Sequence, residues 1–198
     1  MSALSELNKE MEHCEDCELS RQRNRVVPGE GSETADLLLI GEAPGWHEDQ
    51  QGRPFVGPAG HFLDELLHSI GLRREDVYIA NIIKCRPPSN RDPLPTEVKA
   101  CRRWLNRQME LINPKVIVTL GRYSLAQFFP GDAIGKAHGK ARTKDGIIYF
   151  SMYHPAAALH QGNLRKVITE DMLKIPPLLA QAGEVVAEEQ KPEQLSMF

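Results

Sequence analysis

Four short apolar runs most constrain what this chain can fold into. They are Asp36 to Gly41, Val77 to Ile83, Lys115 to Gly121 and Ile147 to Met152. Each is continuous rather than alternating, as expected of a strand buried on both faces. Helical patterns separate them. Phe62, Leu63, Leu66, Leu67 and Ile70 recur at helical spacing after Gly57-Pro58, and Gly71 supplies a stop. Thr96 is expected to cap a helix through about Ile112. Further helices are expected over Leu4 to Met11, about Tyr123 to Phe128, and about Asn163 to Leu179. Strands alternating with helices predict βαβ units and a mostly parallel sheet covered on both sides, an α/β fold.

At 198 residues the chain is expected to form one domain over residues 1–182. Residues 183–198 shift to Glu, Gln and Pro and read as a disordered acidic tail. The net charge is −3, but both ends are acidic, and residues 19–182 carry +5. A locally basic face is what phosphate contact needs, although solvated surface charges fit the same numbers. No apolar run is long enough to span a bilayer, and Met1 to Glu12 is too polar for a secretory signal, so a cytoplasmic protein is expected.

Thiols stay reduced in that compartment, so the four cysteines read as metal ligands more than disulfides. Cys14 and Cys17 form a Cys-x-x-Cys pair, whereas Cys85 and Cys101 arrive singly from distant segments. Four thiolates can hold tetrahedral zinc or an iron–sulfur cluster, and structural zinc sites favour two close pairs. The spread favours a cluster and leaves zinc as the alternative. As plain buried thiols the cysteines would act as small hydrophobes, which explains the polar Cys14-Glu-Asp-Cys17 stretch badly.

Two loops follow strand-like runs: Gly41-Glu-Ala-Pro-Gly45 and His154-Pro-Ala-Ala157. Asn81 lies near the end of the second run. Open α/β sheets bind ligands beyond the carboxyl ends of their strands, where all of these fall.

These loops, Asn81, the cysteine pattern and the Arg86 to Pro93 segment resemble the family 4 uracil-DNA glycosylases. The resemblance covers about Cys14 to Leu179. It implies a three-layer α/β/α sandwich with a central four-stranded parallel sheet. It also implies a [4Fe-4S] cluster on Cys14, Cys17, Cys85 and Cys101, and hydrolysis of the bond joining uracil to deoxyribose in single- or double-stranded DNA. The substrate base must leave the stack for a snug pocket. Phe55 is similar to the family's stacking phenylalanine, on a segment whose Pro54 and Gly57 read as an exposed loop. Asn81 fits uracil, since an amide can donate to O4 and accept from N3–H. His154 is the expected donor to O2 as the uracil anion forms. Backbone N–H groups of Gly41 to Ala43 are expected to add donors. Relatives in the superfamily place an aspartate where this chain has Ala43, so Glu42 is the expected acid. Glu48 resembles the gate that excludes thymine, and Leu159 an apolar wedge into the duplex. Many relatives carry arginine where this chain has His160. Lys84, Arg86, Arg91, Lys136, Lys140, Arg142 and Arg165 are candidate phosphate contacts.

The chain ends Gln194-Leu195-Ser-Met197-Phe198, which looks like the bacterial sliding-clamp-binding pentapeptide. This makes a clamp an expected partner, and a nucleoid-associated bacterial monomer the expected setting. Three other readings compete: a non-catalytic zinc DNA-binding module, a relative that crosslinks to the abasic sugar, and a nucleotide-dependent enzyme. The crosslinking branch uses a histidine in the loop after the second strand, and none occurs between His68 and His138. No phosphate-binding glycine loop supports the last.

Overall fold

The computed structural model describes residues 2–189. Among them, six strands form one sheet: β1 (Glu30–Gly31), β2 (Leu37–Gly41), β3 (Tyr78–Asn81), β4 (Val116–Leu120), β5 (Ala141–Lys144) and β6 (Ile147–Met152). Their spatial order is β1-β3-β2-β4-β6-β5. The middle four run parallel, as the apolar runs predict. The expected four-stranded sheet is therefore extended by two antiparallel edge strands, β1 and β5. Neither carries an apolar signal: β1 has two residues, and all four residues of β5 are exposed.

Nine helices among the described residues accompany the sheet: α1 (Ala3–Glu12), α2 (Trp46–Gln51), α3 (Pro58–Ser69), α4 (Pro95–Ile112), α5 (Arg122–Phe128), α6 (Ile134–Ala137), α7 (Pro155–His160), α8 (Gly162–Met172) and α9 (Ile175–Glu189). Alternate residues of each central strand face opposite sides. Leu38, Ile40 and Ile117 pack with α1 and α4 through Leu4, Met11, Trp104 and Leu105. Leu37, Leu39, Val118 and Phe150 pack with α3, α8 and α9 through Leu63, Leu66, Ile168 and Ile175. This is a three-layer sandwich whose four central strands are buried on both faces. No helix among the described residues is long and apolar enough to cross a membrane.

The expected helices differ in detail. The helix expected to be capped by Thr96 starts earlier, at Pro95. Its N-cap is Leu94, whose N–H donates to the Glu97 carboxylate at 2.8 Å. Proline is suited to the first helical position because its missing N–H would be unpaired there anyway. The single helix expected over Asn163 to Leu179 is two, α8 and α9. Pro176 and Pro177 explain the break, since neither has an N–H to continue α8 and each restricts the residue before it. Helix α9 runs on to Glu189, into the segment read as an acidic tail. Gln194 to Phe198 lie outside the described residues.

Candidate active site and cysteine cavity

The parallel register sets Gly41 beside Asn81 at the ends of β2 and β3. The pairing continues one step further, with Ile82 and Ile83 N–H groups donating to the Gly41 and Glu42 carbonyls. These bonds fix the first loop against the second strand's exit. A methyl group at Gly41 would lie 2.6 Å from Phe55 Cζ and would also strike the Asn81 amide oxygen. Glycine is therefore required where three segments converge. Asn81 is buried, and its Oδ1 has no hydrogen-bond partner among the described residues. A buried acceptor left unpaired is costly unless a ligand satisfies it.

Phe55 is buried rather than exposed, contrary to the loop reading of Pro54 and Gly57. It sits in the left-handed region, at φ 52°. Arg74 holds it there, donating to the Phe55 carbonyl at 3.0 Å and the Pro54 carbonyl at 2.5 Å. Arg74 is in turn paired with Asp64 and Glu30. Gly60 lets α3 approach, since a side chain there would collide with the Phe55 backbone. The Phe55 ring stacks on His154, with centroids 5.4 Å apart and planes at 22°.

His154 follows β6 and caps α7, accepting the Ala156 N–H on Nδ1 at 3.1 Å. A ring nitrogen that accepts carries no proton, so in the neutral ring the proton lies on Nε2. Desolvation lowers the histidine pKa to about 4, partly opposed by Glu48. His154 is thus a neutral donor at physiological pH. Gly121, at φ 90°, makes room for it: a side chain there would press on His154 Cβ at 3.1 Å.

An open cleft of about 530 Å³ runs past these strand ends. Glu42, Ala43, Asn90, Arg91, Arg122 and His154 line it. Burial raises the Glu42 pKa to about 7, Asp92 adds to the rise, and Arg122 opposes it. Arg122 itself pairs with Asp92 at 2.8 Å. No motif marks Arg122 in the sequence, although its place at the end of the third apolar run matches that of the Gly41 and His154 loops. Leu159 is 48% exposed on α7, alongside the cleft residues Ala156, Ala157 and His160.

Glu48, the expected gate, is held in place by backbone donors. Its carboxylate accepts N–H groups of Gly45, Val56 and Gly57 at 3.1, 2.8 and 3.0 Å. It ties the start of α2 to the Phe55 loop. Among the candidate phosphate contacts, Lys84 is excluded by burial: it is 2% exposed and donates to Gln108 Oε1 at 2.6 Å. Its place among the apolar residues after β3, facing inward, is invisible in charge counting. Arg91 chelates Glu97 but remains in the cleft lining, and Arg86 bonds Asn90. Arg142 pairs with Asp132 and Arg165 with Glu65. Lys136 on α6 and Lys140 just before β5 are exposed.

All four cysteines line one largely apolar cavity, walled also by Met11, Leu19, Ile83 and Trp104. Trp104 Nε1–H points at Cys14 Sγ (3.3 Å), and Arg23 at Cys85 Sγ (3.4 Å). Burial pushes the Cys101 thiol up to about 12 and raises Cys17 and Cys85. Among the described residues, no three His, Cys, Asp or Glu side chains converge closely enough to hold a single metal ion. The donor set nonetheless fits a sulfur-ligated group: four sulfurs face one cavity, and N–H donors already point at two of them.

The sequence matches the uracil DNA glycosylase superfamily over residues 28–173. It is 45% identical to a type-4 uracil-DNA glycosylase of Sulfurisphaera tokodaii, covering 90% of this chain and 86% of that protein. This chain belongs to the uracil DNA glycosylase superfamily, as a type-4 member. A type-4 uracil-DNA glycosylase of Archaeoglobus fulgidus is likewise 45% identical, over 90% of this chain and 94% of the other. One of Thermotoga maritima is 40% identical over 89% and 95%. A type-5 uracil-DNA glycosylase of Thermus thermophilus is similar over a shorter span, 41% identical across 51% of this chain. Membership in the superfamily agrees with the α/β sandwich.

Proposed function

We propose that this protein removes uracil from DNA by hydrolysing the N-glycosidic bond, leaving an abasic site. The observation that carries the reading is the Asn81 carboxamide, buried with its oxygen unpaired beside Phe55 and a neutral His154. Uracil supplies what this pocket lacks. Its N3–H satisfies Asn81 Oδ1, and its O4 accepts from the amide nitrogen. Cytosine has an acceptor at N3 and would leave that oxygen unpaired, a loss of about 1–3 kcal/mol. Phe55 offers an apolar face to the flipped base.

Bond cleavage leaves negative charge on uracil and positive character on the sugar. His154 Nε2–H faces the developing charge at O2 without giving up a proton first, because the ring is already neutral. Such a preorganised donor acts most strongly in the transition state. Glu42, when ionised, orients the attacking water and balances the sugar cation. Leu159 fills the place vacated by the base, and Arg91, Arg122, Lys136 and Lys140 hold the backbone. Glu48 acts on thymine exclusion indirectly, by fixing the Gly45 and Val56 backbone that bounds the pocket.

Cys14, Cys17, Cys85 and Cys101 would hold a [4Fe-4S] cluster. Cys14 and Cys17 form one close pair whereas Cys85 and Cys101 come singly from distant segments, which supports a cluster over zinc. When bound it would cross-link the N-terminal segment, the β3 exit and α4 through iron–thiolate bonds. The Gln194, Leu195, Met197 and Phe198 motif would tether the enzyme to a bacterial sliding clamp. Deleting residues 194–198 should abolish clamp binding and leave uracil excision on free oligonucleotides unchanged.

The deciding experiment uses end-labelled oligonucleotides carrying uracil, thymine or cytosine, incubated in EDTA and then cleaved with alkali. Strand scission only at uracil is the expected result. A folded, metal-loaded protein that yields none would overturn the reading.

A further inference from the structure

The wall of the cysteine cavity holds more positive charge than it neutralises. Four ionisable side chains other than the cysteines border it: Asp16, Arg23, Lys84 and Glu97. Both acids are already matched by cations: Asp16 pairs with Arg103 at 2.6 Å, and Glu97 is chelated by Arg91 at 2.5 and 2.9 Å. The two bases are not matched by acids among the described residues. Arg23 donates to the Cys14 and Glu12 backbone carbonyls and to Cys85 Sγ. Lys84, 2% exposed, donates to the neutral Gln108 oxygen at 2.6 Å. Gln108 cannot pass that charge on to an acid. Its amide nitrogen donates to the Pro28 carbonyl, Tyr78 Oη and Asn8 Oδ1, all neutral. No carboxylate forms an ion pair with Lys84 among the described residues.

A buried ammonium surrounded by neutral groups is a costly arrangement, and proteins hold such charges when an opposite charge is near. Lys84 lines the same cavity as the four cysteines and directly precedes Cys85, so the groups beside it that can become anionic are cysteine sulfurs. We infer that Lys84 is the buried counter-charge of the metal group held by the four cysteines. It makes the cavity select an anionic, thiolate-ligated occupant and sets how readily that occupant accepts an electron. This inference rests on the proposed cysteine ligation and goes beyond it. Arg23 shares the role from the more exposed side, where solvent screens it. The neutral Gln108 is part of the device: a carboxylate there would cancel the charge that the cavity uses.

The test uses the full-length protein purified without oxygen. Metal and sulfide content of the parent is measured first. Reduction potential is then compared in the parent, Lys84→Met and Lys84→Arg, with the rate at which the visible absorption fades under an iron chelator. Lys84→Met should move the potential to more negative values and speed the fading several-fold, because a neutral side chain no longer favours the extra electron. Lys84→Arg should stay near the parent on both. If Lys84→Met does not fold, Lys84→Gln serves in its place, being neutral but still able to bond Gln108. Neutral variants with the parent's potential and fading rate would overturn the inference. Zinc in the parent would instead overturn the cluster reading. The same variants would then be compared by zinc release to a chelator, where faster release supports the counter-charge and an unchanged rate overturns it. A parent that binds neither metal would overturn both.

Discussion

His154 is held near a pKa of about 4 and Glu42 near about 7, although both line one cleft. Burial drives both shifts, in opposite directions, because it disfavours the charged form of each. The pH profile of kcat/KM should therefore show an acid limb set by Glu42. Activity falls as pH drops through about 7, where the carboxylate takes up a proton, while His154 stays neutral across the same range. Asp92→Asn removes the like charge that raises Glu42 and should move the limb to lower pH. Arg122→Ala removes the opposing cation and should move it higher. A limb that ignores both substitutions would show that another group sets it. His154→Ala, with Nε2–H gone, should lower kcat by about 10²- to 10³-fold in single-turnover assays. At this scale Asn81, His154 and the two loops were legible because motif and strand end coincide. The Phe55 environment was not: whether a ring between Pro54 and Gly57 points in or out depends on Gly41 and His154, one of them far away in sequence. Lys84 misled for a related reason, since lysine predicts surface and only the fold shows it turned inward.

Among elements, the Phe55 segment depends on two long-range clamps. Arg74 holds the Pro54 and Phe55 carbonyls, and Glu48 holds the Gly45, Val56 and Gly57 N–H groups. Arg74→Ala removes both carbonyl bonds and leaves Asp64 without its partner, so it should cost about 2–3 kcal/mol of stability, seen as a lower denaturation midpoint. It should also raise KM for uracil-containing DNA, because Phe55 at φ 52° relaxes without the clamp. Unchanged stability and KM would mean that local packing alone fixes the ring. The four parallel strands were legible because each is a continuous apolar run. The edge strands were not, because β5 is fully exposed and pairs through its backbone. The division of α8 from α9 was written in Pro176 and Pro177, but the apolar spacing across them reads as one helix.

For the whole molecule, charge is arranged rather than abundant. The chain is net −3, yet residues 19–182 carry +5, and Arg91, Arg122 and Leu159 gather at one end of the sheet. DNA affinity should fall steeply with salt, and each phosphate that the protein ceases to neutralise should reduce the slope of log K against log salt by about 0.9. Lys136→Ala with Lys140→Ala should flatten that slope, whereas Lys84→Met should leave it unchanged, since Lys84 is sealed from DNA. A Lys84→Met variant with a flatter slope would contradict its burial.

The two tryptophans divide the molecule optically. Trp46 is 53% exposed at the start of α2, directly after the Gly41 to Gly45 loop, while Trp104 is buried with its indole N–H on Cys14. Emission from the first reports on solvent and ligand near the cleft. Emission from the second is damped by any light-absorbing group that enters the cysteine cavity. One fluorescence spectrum thus contains two channels, a long-wavelength band sensitive to DNA and a short-wavelength band whose brightness counts empty cavities.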